Sequence, residues 1–422
     1  MMEKFAEFLD KKLSTPMAKV AEQRHLRAVR DGIIATLPLI IVGSLFIIIG
    51  IPPLPQEWEI TQFLKANAGT IMLPYRMTMY IMTMYATWGI GYSLAKSYKL
   101  DGVTGGILSS IAFLLTIVPQ SVEGIGWVMP MANMGGGGMF VGILTSIFAV
   151  EVLRFTTVKN IRIKMPEQVP ASVARSFEAL TPTAIVILVM ACISYFAGFD
   201  WHGFVGKVIS PLVSATDSLP SVWILIILVT FFWSFGIHGV SIVGSIARPL
   251  WLQLLEQNTS AAAAGETVLP AIAAEPFFQW FIWVGGSGAT IGLVICLAIF
   301  AKSVYGKQLG RAALVPGIFN INEPIIFGAP IVLNPTLIIP FMITPLVIGT
   351  LSWFAMSMGF VSKVIVTAPW TLPGPVGAFI ATGGDWRASV LNIMCITIAV
   401  VIYYPFVKMY DKKLRAEEMA EA

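Results

Sequence analysis

The sharpest chemical feature of this chain is an acidic residue followed by proline, framed by two amides and an apolar run: Asn320-Ile321-Asn322-Glu323-Pro324-Ile325-Ile326-Phe327-Gly328. A carboxylate in a pocket at Glu323 can accept a hydrogen bond from a hydroxyl and act as a general base, with Asn320 and Asn322 supplying amide donors and acceptors. The same glutamate also reads as an amino-terminal cap, because the proline after it can begin a helix. A second candidate, His238, lies in Phe235-Gly236-Ile237-His238-Gly239-Val240-Ser241, where flanking glycines let a ligand approach the backbone; a hydrogen-bonded structural histidine at a helix junction fits as well. The third is Trp370, in Thr367-Ala368-Pro369-Trp370-Thr371-Leu372-Pro373-Gly374-Pro375. Its flat ring can stack on the apolar face of a pyranose, or serve as an interfacial anchor of the kind expected for Trp58, Trp127 and Trp201.

The elements that must position these residues are membrane helices. Of the 422 residues 56% are hydrophobic and 12% charged, with mean hydropathy +0.80, whereas soluble domains carry roughly a quarter charged residues. The apolar residues fall in blocks that match the thickness of a bilayer, not in the short alternating segments of a membrane barrel. Spans are expected near 32–51, 72–95, 102–119, 137–155, 180–198, 221–236, 240–256, 276–301, 337–358 and 389–407. Two stretches, 305–335 and 361–386, are dense in Pro and Gly and too broken to cross regularly. Irregular backbone at membrane depth persists only where protein or a watery cavity satisfies it, so both read as re-entrant hairpins. The expected fold is thus an all-α integral membrane protein of about ten transmembrane helices with two oppositely oriented hairpins. Its parts are an amphipathic surface segment (1–31), two five-helix halves (32–200 and 201–410) and a charged tail (411–422).

Charge supports this reading. The net charge of +4 sits in short inter-helix segments, which argues for topology and against nucleic acid as a partner. Most of the 27 basic residues fall on one side if both termini are cytoplasmic. The hairpin at 305–335 then enters from the cytoplasm and that at 361–386 from outside. Cys192, Cys296 and Cys395 lie in apolar blocks and read as buried small hydrophobes; no metal site and no cofactor is expected. Gly135 to Gly138 reads more readily as a close helix-packing entry than as a phosphate loop, since no Lys-Ser or Lys-Thr follows. Asp385 and Arg387 read as solvated outer-rim charges, and Arg248 as an intramembrane cation without an evident task. No nucleotide-binding pattern is present to drive pumping by this chain alone.

With Gly236-Ile237-His238-Gly239 and Asn320-Ile321-Asn322-Glu323-Pro324 side by side, the sequence resembles the enzyme IIC component of the bacterial phosphoenolpyruvate phosphotransferase system, most of all the lactose, cellobiose and diacetylchitobiose family. The likeness covers essentially the whole chain. It implies a homodimer in the bacterial inner membrane, with the first five helices at the dimer contact and the second half holding a disaccharide. It also implies that Glu323 and His238 hold the hydroxyl to be phosphorylated, that Asn322 lies beside them, and that Trp370 stacks on a sugar ring. The phosphoryl group would come from a phosphocysteine on a partner IIB protein, itself supplied through IIA, so the chain is the permease component of a sugar phosphotransferase. The rival reading is an ion-coupled secondary sugar transporter without phosphorylation, which the same helices and carboxylate could serve.

Overall fold

The computed structural model describes residues 23–52, 54, 57–163, 169, 177–329, 331, 332 and 334–421. Residues 1–22 of the expected surface segment lie outside them. The chain forms two compact units, one of Ala21–Gly43 with Leu73–Leu212, the other of Ser44–Met72 with the chain from Val213 onward. The segment Ser44–Met72, inside the expected half 32–200, groups with the later compact unit.

In the first unit, α1 (Arg24–Ile34) leads into α2 (Leu37–Gly50), whose second half belongs to the other unit. Arg24 to Asp31, the end of the expected surface segment, form the first turns of α1 and pack on α4 (Met82–Ser97), with Ala28 and Val29 buried. A polar clamp explains why this charged stretch is held in. Tyr98 donates to Glu151, His25 Nε2 lies 3.1 Å from the same carboxylate, and Arg24 and Arg154 lie 4.4 and 4.3 Å from the Tyr98 ring. The expected span 72–95 begins with short turns and becomes continuous only in α4. It packs closely on α5 (Gly102–Leu114) because Gly91 and Gly105 let the backbones approach: a Cβ on either would strike the other helix. A short hairpin, β1 (Gln120–Val122) with β2 (Gly126–Val128), pairs Ser121 opposite Trp127. The glycines that follow lead into α6 (Met139–Val158) as a packing entry, with the Gly135 carbonyl accepting from Thr83 Oγ1 at 2.5 Å. Helix α7 (Leu180–Ala191) ends in a wide turn, Cys192–Phe196, and meets α8 (Trp201–Thr216) at an 86° elbow. Cys192, expected to be buried, is exposed on that turn, whereas Cys296 and Cys395 are buried.

The second unit contains α3 (Glu59–Ala66), which precedes α4 in the chain, and the helices after α8: α9 (Leu219–Ser234), α10 (Gly239–Ala263), α11 (Glu275–Phe281), α12 (Ile291–Phe300), α13 (Val304–Ile318), α14 (Glu323–Gly328), α15 (Pro335–Ser357), α16 (Gly374–Ala381) and α17 (Trp386–Glu421). The apolar run 276–301, expected as one span, is two half-helices around a turn in which Gly285, Gly286, Gly288 and Ala289 all have positive φ. Helices α13 and α14 pack on each other as the first irregular hairpin, and the second is an extended arm that returns through α16. That arm is closed by Ile365 N donating to the Ala381 carbonyl at 2.8 Å. No break separates the expected tail at 411, because α17 runs on to Glu421. Among the described residues four helices are long and apolar enough to cross a bilayer, Arg24–Gly50, Gly136–Val158, Thr336–Ser357 and Trp386–Ala420, and the bent α7–α8 pair is a fifth candidate. The other apolar runs form shorter or interrupted helices, and the whole is an all-α integral membrane protein.

Candidate functional site

Of the sequence-selected polar residues in the second unit, His238, Asn320, Asn322, Glu323 and Asp385 sit at helix breaks, whereas Arg248 lies within α10. Helix α9 stops at Ser234, Gly236 turns the chain with φ 77°, and His238 caps α10. The cap fixes the imidazole. Nδ1 accepts from the Ser241 backbone N–H at 3.2 Å and lies 3.0 Å from Ser241 Oγ. A ring nitrogen that accepts a backbone N–H carries no proton, so in the neutral ring the proton is on Nε2, which is left as a donor. The Trp233 ring, one turn upstream, lies 4.5 Å from the imidazole and 6.5 Å from the ring of Phe327. It therefore wedges the His238 turn against α14, where Glu323 is the first residue and Pro324 the second.

Glu323 is carried toward His238 by this packing, being on the same short helix as Phe327, and among the described residues its carboxylate makes no hydrogen bond. Expected to be sheltered, it is exposed, because the surrounding hairpin tip is open: Ile321 is 38%, Phe327 59% and Trp370 50% exposed. The two asparagines are buried and engaged with backbone. Asn320, left-handed at φ 61°, accepts from Gly285 N at 3.0 Å and donates to the carbonyls of Trp370 and Leu372, each at 2.9 Å. Asn322 donates to the Ser287 carbonyl at 3.0 Å. Three chain segments that share no regular structure are thereby tied together: the glycine turn before α12, the approach to α14, and the Trp370 arm.

Further stitches satisfy the rest of this irregular backbone, as a low-dielectric setting requires. Asn258 of α10 donates to the Ala271 and Val364 carbonyls at 2.7 and 2.8 Å, and Tyr403 of α17 donates to the Gly288 carbonyl at 2.8 Å. Gly286 must lack a side chain, since a Cβ there would lie 2.5 Å from Asn322 Cγ. Arg248, without a task in the sequence, pairs with Glu275 at 2.8 Å. Asp385 is not a solvated rim charge: its side chain is 7% exposed, and it accepts from Ser362 N and Arg387. The structure thus groups His238 with Glu323 and Asn320 with Trp370. Sequence reasoning missed Trp233, Ser241 and the Gly285–Gly288 turn, although the glycine cluster was visible inside an apolar run.

A helical membrane chain whose accessible carboxylate, imidazole and aromatic rings gather at broken helices, with no soluble catalytic domain among its described residues, has the make-up of a solute transporter. The chain belongs to the phosphotransferase system EIIC family, whose model matches residues 30–345. It is 40% identical to the cellobiose-specific EIIC component of Geobacillus stearothermophilus over 100% of this chain and 97% of that protein. It is 39% identical to the lichenan permease IIC component of Bacillus subtilis over 99% of this chain and 96% of that protein. Among solved structures, it superposes on the transporter ChbC, the IIC component from the N,N'-diacetylchitobiose-specific phosphotransferase system, with TM-score 0.91 and 40% identity, covering 98% of this chain and 100% of that one. The chain is a phosphotransferase-system sugar transporter, working with IIA and IIB partners, and the ion-coupled alternative gives way to that assignment.

Proposed function

We propose that the chain binds a β-linked disaccharide such as cellobiose or diacetylchitobiose and carries it across the bacterial inner membrane. It then presents one sugar hydroxyl to the phosphocysteine of a IIB partner charged through IIA. The observation that carries this reading is an unbonded carboxylate, Glu323, on the short helix that packs through Phe327 and Trp233 toward an imidazole whose tautomer leaves Nε2–H as donor. A hydroxyl needs one acceptor for its proton and one donor for its oxygen, and this pair supplies one of each. In the transfer the S–P bond of the donor breaks, an O–P bond forms on the sugar, and the hydroxyl proton passes to Glu323. Phosphoryl transfer has a loose transition state, so holding the oxygen in line contributes more than strong basicity.

Phe327, on the helix of Glu323, and Trp370, on the arm that Asn320 ties to the approach to that helix, are both half-exposed or more and offer apolar surface for the ring faces. Asn320 and Asn322 hold the frame: the first positions Trp370 through its backbone, and the second keeps Glu323 against the glycine turn. Both termini lie in the cytoplasm, and the chain acts as a homodimer. The decisive experiment is Glu323→Gln in vesicles supplied with the phosphorelay proteins. Phosphorylation should fall by about 100-fold or more, the range of a lost general base, while cellobiose binding stays measurable; undiminished phosphorylation would refute the role.

A further inference from the structure

Helix α10 carries more than the His238 cap. Ser241, Gly244 and Arg248 follow at spacings of three and four residues and therefore share one face. Ser241 on that face holds the imidazole. Gly244 is buried, yet a Cβ built on it meets no atom within 4 Å, so the face looks onto open volume inside the protein. Arg248 closes the stripe, ten residues beyond His238 and about 15 Å along the axis. Helical side chains lean toward the helix start, which is the Gly244 side of Arg248.

The pair that Arg248 makes is incomplete. Its Nη2 donates to Glu275 Oε1 at 2.8 Å, with the side chains 13% and 21% exposed, while its buried Nε has no partner among the described residues. Charges at membrane depth are costly, and a buried ion pair gives little net stability against an apolar replacement. A pair that keeps spare N–H donors and a spare carboxylate oxygen can serve a ligand rich in both kinds of group. A sugar ring is such a ligand.

We propose that Arg248 and Glu275 form the far wall of the sugar site and determine specificity by binding the hydroxyl or acetamido groups of the second ring of a disaccharide, with Gly244 leaving room for that ring. This rests on the assignment of Glu323 and His238 to the acceptor-hydroxyl end. The guanidinium donates to ring or acetamido oxygens, and the carboxylate accepts from hydroxyls or the amide N–H.

The test compares two-ring and one-ring ligands on purified protein in lipid nanodiscs. For Arg248→Gln combined with Glu275→Gln, which removes both charges and leaves neither orphaned, calorimetry should show cellobiose and diacetylchitobiose affinities reduced tenfold or more. Glucose and N-acetylglucosamine affinities should be unchanged. Arg248→Lys retains the ion pair and hence the fold but loses the planar fork; it should lower disaccharide affinity severalfold, again sparing the monosaccharides. Equal losses for one-ring and two-ring sugars would make the pair a structural fastener, and unchanged disaccharide affinity in both variants would remove it from the site. Glu323→Gln run alongside separates the two ideas. Persistent phosphorylation there sinks the acceptor assignment, whereas the ring-number contrast judges Arg248 and Glu275.

Discussion

Asn320 adopts a left-handed backbone that few side chains tolerate, and its amide is committed to three backbone groups on two other segments. Truncating it leaves those buried groups without partners, so Asn320→Ala should lower stability by about 2 kcal/mol or more, measured by thermal unfolding in detergent. Because one of the lost bonds holds the Trp370 carbonyl, sugar affinity should fall too. Trp370→Ala removes the ring itself; at about 1 kcal/mol for one aromatic contact, cellobiose Kd should rise about fivefold, and an unchanged Kd would make the ring an anchor. If Asn320 acts on sugar through Trp370, the double variant binds no worse than the weaker single one, whereas independent effects would add. These residues could be picked out from sequence because a carboxylate, amides and a histidine are conspicuous in apolar surroundings. Their partners could not: Asn320 and Trp370 are fifty residues apart, and Arg248 and Glu275 twenty-seven, joined by the path of the chain, not by local pattern.

The glycine turn between α11 and α12 shows how an element can hide inside hydropathy. Averaged over a span's length, 276–301 is apolar throughout, and the small uncharged residues of Gly285 to Gly288 barely lower the mean. Conformation decides instead: positive φ at four neighbouring positions cannot continue a helix. Gly286→Ala should be among the least tolerated changes in this unit, since it combines φ 99° with a Cβ 2.5 Å from Asn322 Cγ; wild-type melting behaviour in that variant would contradict the geometry. The turn before α17 allows a test by pH. Burial pushes the Asp385 carboxyl upward, but bonds from Arg387 and Ser362 outweigh it and hold the group below the ordinary carboxylate range. A folded value below the unfolded one stabilises fully at neutral pH, and the contribution is lost as pH falls through the folded value. Asp385→Asn should therefore melt below wild type at neutral pH, with the gap closing in acid. A gap that persists in acid would point to lost packing.

For the molecule as a whole, the legible part was the solvent it lives in: long apolar blocks and few charges require a bilayer. Less legible was where one compact unit ends and the next begins, because blocks of equal hydropathy carry no label of their unit; that Ser44–Met72 groups with the chain from Val213 onward has no signal in the sequence. The coupling of transport to energy follows from the chemistry at one end of the passage. A neutral disaccharide can return the way it came, but its phosphate ester is a dianion that an apolar passage accommodates poorly. Direction is then set by the transfer step and needs no ion gradient. In right-side-out vesicles loaded with the phosphorelay proteins and phosphoenolpyruvate, cellobiose should accumulate only as its phosphate, and a proton uncoupler should leave the initial rate unchanged. Without the phosphoryl donor, the interior should reach no more than the external concentration of free sugar. Accumulation of unmodified cellobiose above that level, abolished by the uncoupler, would mean that an ion and not a phosphoryl group drives the cycle.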